Sequence, residues 1–185
     1  QPSFFLMSSI LGAIIAGGGA TRFGSDKGAA QLGDTALIDH ISLALRPQVD
    51  ALVVVGRAWR DLPTIEDRPA PGLGPLGGLC AALLHGKATG HQMVLAVGCD
   101  TLPLPANLAA ALAPGPCVVE GQWLIGLWPV SLANRLEAFL LDQPDYSIRA
   151  WMRECCAKMR ALPHDFVNIN TPEDLATLSR RDPPP

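Results

Sequence analysis

The sequence has few aromatic residues, few charged residues and no long hydrophobic run. Aromatic side chains make up 5% of its 185 residues and charged side chains 17%, whereas hydrophobic residues make up 49%. This balance is typical of a compact folded protein and not of a disordered chain. No apolar stretch reaches the ~18 residues that a membrane span requires. We therefore predict a globular protein without a membrane segment.

The sequence also lacks an excess of positive charge. Its formal net charge is -3 at pH 7, with 14 basic and 17 acidic residues. A protein that binds nucleic acid along the backbone needs a basic face, so this balance argues against that function. If the protein binds a phosphorylated ligand, the binding must depend on local cations.

Several patterns of catalytic and metal-binding proteins are absent. The chain contains no C-x-x-C, no H-E-x-x-H and no G-x-S-x-G, so a zinc site, a zincin and a hydrolase triad have no support. The number of cysteines is odd, and we interpret Cys80, Cys99 and Cys117 as core residues and Cys155-Cys156 as a buried helix pair. Residues 1–10 include no basic region of a signal peptide. We therefore expect a cytoplasmic location.

The most informative stretch is ILGAIIAGGGATRFGSDKG, near the beginning of the chain. Ile10–Ala16 is an apolar run of strand length, as in a strand that is buried on both faces. Gly17-Gly18-Gly19 follow, and glycines let backbone N–H groups approach and surround an anion. Arg22 and Lys27 come next, and both side chains suit phosphate. The stretch predicts a phosphate-binding loop, although a plain glycine-rich turn is the alternative.

This loop matches neither of the two commonest phosphate motifs. A P-loop requires Lys and then Ser or Thr after its second glycine, but Ser25-Asp26 follow Gly24. A dinucleotide fingerprint requires a third glycine where Arg22 stands. The second mismatch argues against an oxidoreductase that uses a dinucleotide.

Apolar strand-length runs alternate with helical patterns over the first two thirds of the chain. The alternation predicts an α/β protein, a single-domain Rossmann-like three-layer sandwich with a mostly parallel sheet and helices on both faces. We expect residues 1–185 to form one domain, with 1–8 and 182–185 as frayed tails. Arg68–Gly78 is rich in Pro and Gly, so we predict a loop there and a helix from Leu79.

Two helix beginnings carry recognisable capping residues. Asp34 or Thr35 can cap a helix that ends before Pro47. Thr171 precedes Pro172 and two acidic residues, which is the pattern of a capped helix start.

Polar residues follow several predicted strands and should meet at one edge of the sheet. Asp100 comes directly after a buried strand, where a carboxylate can bind Mg²⁺ together with substrate phosphates, or can simply shape a turn. Asp67 can contact a ribose or base, or shape its loop, and Asn168 and Asn170 can bind a polar ligand or act as turn residues. Together these positions suggest nucleotidyl transfer, which needs positioning and neutralisation of charge.

The tryptophans allow two interpretations. Trp123, Trp128 and Trp151 could form a wall on which a ligand stacks, but tryptophan more often belongs to the core.

At this point a resemblance to a known family is evident. IIAGGGATRFGSDKG resembles the signature L-A-G-G-x-x-x-R-M-G-x-D-K of nucleotidyltransferases, and GPLGGL, GCDT and FVNINTPEDL follow in the order of that family. The combination is similar to the molybdenum cofactor guanylyltransferases of the MobA type, over nearly the whole chain. The resemblance implies the fold of the nucleotide-diphospho-sugar transferases, and transfer from GTP to a molybdopterin phosphate with Mg²⁺.

The resemblance also implies roles for residues that match the family motifs. Asp100 would bind nucleotide and Mg²⁺, Arg22 would neutralise charge on the triphosphate, and Asp67 would contact the nucleotide. Asn168 and Asn170 would face the acceptor or the metal. The nucleotide loop would comprise Ile15, Ala16, Gly17, Gly18, Gly19 and Lys27. Molybdoenzymes or other proteins of cofactor biosynthesis would be partners, without nucleic acid or membrane.

The chain departs from the family pattern at two places. Gly56-Arg57 stands where the family usually has A-N-R, so one side-chain contact to the nucleotide is missing. The segment from Gly121 to Trp128 lacks the proline that the family tends to have there. Two alternatives therefore stay open: a CTP-dependent or other nucleotidyltransferase, and a nucleotide-binding accessory protein without catalysis.

Overall fold

A seven-stranded sheet forms the centre of the protein. In the computed structural model, the described residues are 8–17, 29–142 and 146–181. Numbered in chain order, the strands lie from one edge to the other as β10 (Lys158–Arg160), β8 (Cys117–Val119), β9 (Gln122–Pro129), β6 (Met93–Gly98), β1 (Ile10–Ile15), β4 (Ala51–Val55) and β5 (Thr64–Ile65). Neighbours pair in parallel except β9, which runs antiparallel to β6 and β8. The sheet is mostly parallel, as predicted.

Two short antiparallel pairs lie outside this sheet. One joins β2 (Gln31–Leu32) to β3 (Thr35–Ala36), and the other joins β7 (Thr101–Leu102) to β11 (Val167–Asn168). The second pair brings together segments that are far apart in the sequence. It matters for the site because β7 follows Asp100 directly.

Helices cover both faces of the central sheet. The described α-helices are α1 (Leu37–Leu45), α2 (Gly74–Ala88), α3 (Leu108–Leu112), α4 (Ala133–Asp142), α5 (Ile148–Glu154) and α6 (Pro172–Arg181). One buried cluster contains side chains from α2, α4 and α5, and we call this side the α2 face. The other cluster contains side chains from α1, α3 and α6. In the part of the chain that the structure describes, no helix is both long and apolar enough to cross a membrane.

The apolar runs form central strands because both of their sides are buried. Along β1, Leu11, Ala13 and Ile15 belong to the cluster on the α2 face, whereas Ile14 belongs to the opposite cluster. Each strand therefore contributes to two cores, and continuous hydrophobicity follows from this position. This arrangement confirms the predicted three-layer α/β fold.

The predicted loop Arg68–Gly78 is confirmed as far as residue 73 and is wrong beyond it. Residues from Gly74 onward belong to α2, which begins five residues before the predicted helix start at Leu79. Pro75 occupies the first turn, where its missing N–H costs nothing. The glycines that indicated a loop instead let the helix pack closely: a Cβ on Gly78 would lie 2.8 Å from Cγ2 of Ile15.

Two smaller predictions are also wrong. The N-cap of α1 is Ala36, without a side-chain cap, because Thr35 belongs to β3. Cys155 is buried as predicted, but Cys156 is exposed because the helix ends at Glu154.

Candidate active site

The carboxyl ends of β1 and β4 touch through two glycines. Gly56 has φ +85°, and a Cβ added to it would lie 2.4 Å from Cα of Gly17 and 2.7 Å from N of Gly17. The N–H of Ala16 donates to the carbonyl of Val55 at 2.9 Å, so parallel pairing continues to this point. Because no side chain fits between the two backbones, Gly56 fixes the position from which the glycine-rich segment leaves β1.

Asp67 follows β5, the next strand along the sheet, and its carboxylate lies beside Gly17. Its Oδ1 would lie 3.4 Å from a Cβ on Gly17 and 3.6 Å from one on Gly78, so both glycines leave space beside the carboxylate. Oδ1 is buried and has no hydrogen-bond partner among the described residues. Burial accordingly raises the pKa of Asp67. A buried carboxylate oxygen without a partner is a position where a ligand donor is expected.

Asp100 lies on the opposite side of β1, after β6. A Cβ on Gly98 would lie 2.8 Å from Oδ1 of Asp100 and 3.1 Å from Cδ2 of Leu124. The carboxylate of Asp100 thus lies against the end of β6, in space that a Cβ at position 98 would partly fill. The N–H of Cys99 donates to the carbonyl of Ile15 at 3.2 Å, which holds the segment before Asp100 against β1.

Asn168 is held beside Asp100 by the pairing of β7 with β11. The hydroxyl of buried Thr101 donates to Oδ1 of Asn168 at 2.8 Å and lies 3.3 Å from Oδ1 of Asp100. The N–H of Ile169 donates to the carbonyl of Asp100 at 2.7 Å. These contacts join the segment before the last helix to the end of β6.

The cluster around Asp100 offers oxygen atoms from a carboxylate, an amide and a hydroxyl. Mg²⁺ prefers such ligands, and it usually takes one or two carboxylates together with water and substrate phosphates. Among residues 8–17, 29–142 and 146–181, no three His, Cys, Asp or Glu side chains cluster as a metal site.

The structure brings only part of the predicted set together. Gly17, Asp67, Asp100 and Asn168 lie at the carboxyl edge, next to buried Ile15 at the end of β1 and to half-buried Ala16. Asn170 is exposed, and its N–H donates to Oδ2 of Asp174 in the cap of α6 at 2.9 Å. The remaining predicted residues, Gly18, Gly19, Arg22 and Lys27, lie outside the described residues.

Sequence reasoning missed three residues that build the site. Thr101 connects Asp100 to Asn168, and Gly98 and Gly78 give two carboxylates their space. Thr101 is adjacent to a predicted site residue, so its hydroxyl could have been considered. The role of the glycines depends on contacts between strands and helix, and a single sequence gives no signal for it.

A cavity lies at the opposite edge of the sheet from these residues. Its volume is about 640 Å³, and Ile10, Gln48, Met93 and Gly115 are among its lining residues. Among the residues that the structure describes, none that lines this cavity is charged, so they offer no cation that would neutralise a triphosphate. The candidate active site is therefore at the carboxyl edge.

These features define the class of protein: an α/β fold with a cluster of polar side chains at the carboxyl ends of its parallel strands, the edge where ligands of such sheets bind. Comparison by sequence gives the family. The profile of the MobA-like NTP transferase domain matches residues 12–161, and the chain belongs to this family of nucleotidyltransferases.

Curated relatives support the same assignment. A molybdenum cofactor guanylyltransferase of Rhizobium leguminosarum bv. trifolii is 35% identical, covering 94% of this chain and 93% of the relative. One from Rhodobacter capsulatus is 33% identical, covering 93% and 96%. The resemblance inferred from the motifs is thereby confirmed.

Solved structures confirm the fold. The molybdopterin-guanine dinucleotide biosynthesis protein A of Archaeoglobus fulgidus superposes with a TM-score of 0.72 at 20% identity, covering 92% of this chain and 97% of that one. A nucleotidyl transferase from Methanothermobacter gives a TM-score of 0.70 at 16% identity, covering 94% and 97%.

Proposed function

We propose that the protein transfers GMP from GTP to the phosphate of molybdopterin, with Mg²⁺, and releases pyrophosphate. A phosphate oxygen of the acceptor attacks the α-phosphorus, the new P–O bond forms, and the bond to the pyrophosphate oxygen breaks. The observation that carries this proposal is the position of Asp67 and Asp100 on either side of the glycines that end β1. The names of the curated relatives support the choice of GTP and molybdopterin.

Each residue has a distinct part in the proposed reaction. Asp67 accepts a hydrogen bond from the nucleotide, which would satisfy its buried Oδ1. Asp100 holds Mg²⁺ beside the phosphates, and Asn168 and Asn170 face the acceptor or the metal. When bound, Mg²⁺ neutralises charge that develops on the phosphate oxygens.

The segment after β1 completes the nucleotide site. We propose that Gly18 and Gly19 continue the phosphate loop, and that Arg22 and Lys27 neutralise the triphosphate. We also propose that the dinucleotide product passes to a molybdoenzyme or to another protein of cofactor biosynthesis.

The experiment uses thermal unfolding and turnover together. A nucleotide at ~100 times its dissociation constant should add roughly 2.7 kcal/mol to the folded state. We expect GTP with Mg²⁺ to raise the melting temperature more than CTP or ATP, and Asp100→Asn to abolish product formation. An Asp100→Ala variant that keeps both nucleotide binding and cofactor production would instead favour the accessory-protein alternative.

Gly56 affects the expected preference for GTP, because a glycine has no side chain that could contact the nucleotide. The side chain that the family usually has at this position has no space here, because it would meet the backbone of Gly17. Recognition of the base must therefore come from other groups, such as Asp67. A stronger stabilisation by CTP than by GTP would identify a cytidylyltransferase.

A further inference from the structure

The sheet order divides the carboxyl edge into two halves around Asp100. Gly17, Gly56 and Asp67 follow β1, β4 and β5, which all lie on one side of β6. The proposed nucleotide contacts occupy this half. A transferase must also bind an acceptor, and the half beyond β6 is formed by β9, β8 and β10.

The beginning of β9 lies beside Asp100. Cδ2 of Leu124 and Oδ1 of Asp100 lie within 3.1 Å and 2.8 Å of the same point, the Cβ position of Gly98. Trp123 directly precedes Leu124 and is half-buried against the core of the α2 face. Trp128 and Trp151 differ from it, because both are completely buried. Trp123 is therefore the tryptophan of this part of the sheet that can reach a ligand.

Arg149 stacks on this tryptophan. Its guanidinium carbon lies 3.8 Å from the centroid of the Trp123 ring, whereas the side chain is exposed. Other arginines pair with carboxylates of the described residues, as in Arg60–Asp39, Arg68–Glu137 and Arg135–Glu154, whereas Arg149 belongs to none of these ion pairs. A cation in the first turn of a helix also gains nothing from the helix dipole. Stacking thus orients a guanidinium whose charge no described carboxylate neutralises.

We propose that Arg149 binds the phosphate of the acceptor and that Trp123 is its positioning residue. This subsite rests on the proposed function, since an acceptor that attacks the α-phosphorus must carry a phosphate. Guanidinium binds phosphate through two parallel hydrogen bonds, and an aromatic ring beneath it fixes the plane of that fork. Trp123 lies at the start of β9, across β6 from the nucleotide half, so in this proposal the acceptor phosphate lies on the other side of Asp100 from the nucleotide.

The test separates binding of the acceptor from binding of the nucleotide. We expect Arg149→Ala to raise the KM for molybdopterin roughly 10- to 100-fold, which corresponds to the loss of a charge-assisted hydrogen bond, with the KM for GTP unchanged. Arg153→Ala is the matched control, because Arg153 is an exposed arginine on the same helix and its removal changes the net charge equally. An Arg149→Ala variant whose KM for molybdopterin stays within twofold of the wild type would overturn the proposal.

Conservative variants test the role of stacking. Trp123→Phe keeps an aromatic face and should retain most of the affinity for molybdopterin, whereas Trp123→Leu should raise the KM for molybdopterin as Arg149→Ala does. Arg149→Lys keeps the charge but loses the planar fork, so it should rescue the affinity only in part. Equal KM values for Trp123→Leu and the wild type would contradict a positioning role.

A binding measurement keeps this proposal distinct from the proposed function. If the wild type forms product and Arg149→Ala behaves like it, the function stands and the subsite is wrong. If the wild type forms no dinucleotide from any nucleotide, the proposed function fails. The affinity for molybdopterin with a non-hydrolysable GTP analogue then decides: a loss of affinity in Arg149→Ala supports the subsite, and its absence refutes the subsite.

Discussion

At the scale of single residues, Asp67 occupies an environment that opposes its charge. Its Oδ1 is buried without a partner in the described part of the chain, and the pKa of its carboxyl group is raised by that burial. The folded state therefore holds this proton more tightly than the unfolded chain does. Stability that is present at low pH is lost as the pH rises through the raised pKa.

Asp67→Asn should consequently stabilise the protein while it weakens nucleotide binding. We expect a higher melting temperature than the wild type at pH 7, and a difference that disappears as the pH falls toward the ordinary carboxyl value of 3.8. Unfolding curves between pH 4 and pH 8 measure this. Glu66→Gln, at an exposed neighbouring carboxylate, controls for net charge. A melting temperature of Asp67→Asn below that of the wild type at pH 7 would refute this interpretation.

Gly98 leaves free the space beside the carboxylate of Asp100. An added Cβ would lie 2.8 Å from Oδ1 of Asp100, the free end of a side chain that can rotate away. Gly98→Ala should therefore lower kcat at least tenfold and change the melting temperature little. If the effect acts through Asp100, Gly98→Ala should also reduce the shift in melting temperature that GTP with Mg²⁺ produces, and the double variant Gly98→Ala/Asp100→Asn should lose no more of that shift than Asp100→Asn alone. Additive losses would show that Gly98 acts in another way.

At the scale of elements, the ends of β1 and β4 approach each other so closely that no side chain has room at Gly56. Gly56→Ala would place a Cβ 2.4 Å from a backbone atom in a conformation of positive φ. Gly90→Ala has a comparable φ of +81° but meets nothing within 4 Å, so it isolates the cost of the backbone conformation. We expect Gly56→Ala to lower the free energy of unfolding more than Gly90→Ala, by about 1–3 kcal/mol. Equal losses in denaturant unfolding would contradict the close contact.

The N-terminal cap of α6 includes the backbone of Asn170, one of the predicted site residues. The hydroxyl of Thr171 accepts from the N–H of Asp174 at 3.2 Å, and Oδ2 of Asp174 accepts from the N–H groups of Asn170 and Thr171 at 2.9 Å. Thr171→Ala should cost about 1 kcal/mol, the usual cost of a lost N-cap. Thr177→Ala, on the same helix but beyond its first turn, is the comparison. An unchanged melting temperature for Thr171→Ala would mean that this cap contributes nothing.

The elements that could be predicted from sequence are those with a strong local signal. β1, β4 and β6 follow from continuous apolar runs, and the start of α6 follows from Thr171 and its acidic neighbours. α2 begins earlier than predicted, because its glycines let the helix pack closely against β1 and do not form a turn. β7 and β11 have two residues each and exist only through pairing between distant segments. Such strands leave no periodic pattern.

At the scale of the whole molecule, the location of the site could be predicted from the sequence. The hydrogen bonds and stacking contacts between its residues could not. Parallel strands bring Gly17, Asp67 and Asp100 to one edge, and this follows from topology alone. The hydrogen bond from Thr101 to Asn168 depends on how the chain returns after β10, and the stacking of Arg149 on Trp123 depends on where α5 packs. Both arise from tertiary packing, for which the sequence pattern gives no direct signal.

The proposed activity is transfer of GMP to molybdopterin. The most direct measurement offers the purified protein equimolar GTP and CTP with molybdopterin and Mg²⁺, and identifies the dinucleotide product by mass. We predict the guanine dinucleotide and pyrophosphate in equal amounts, with both lost in Asp100→Asn. The cytosine dinucleotide as main product, or no dinucleotide from either nucleotide, would contradict the account.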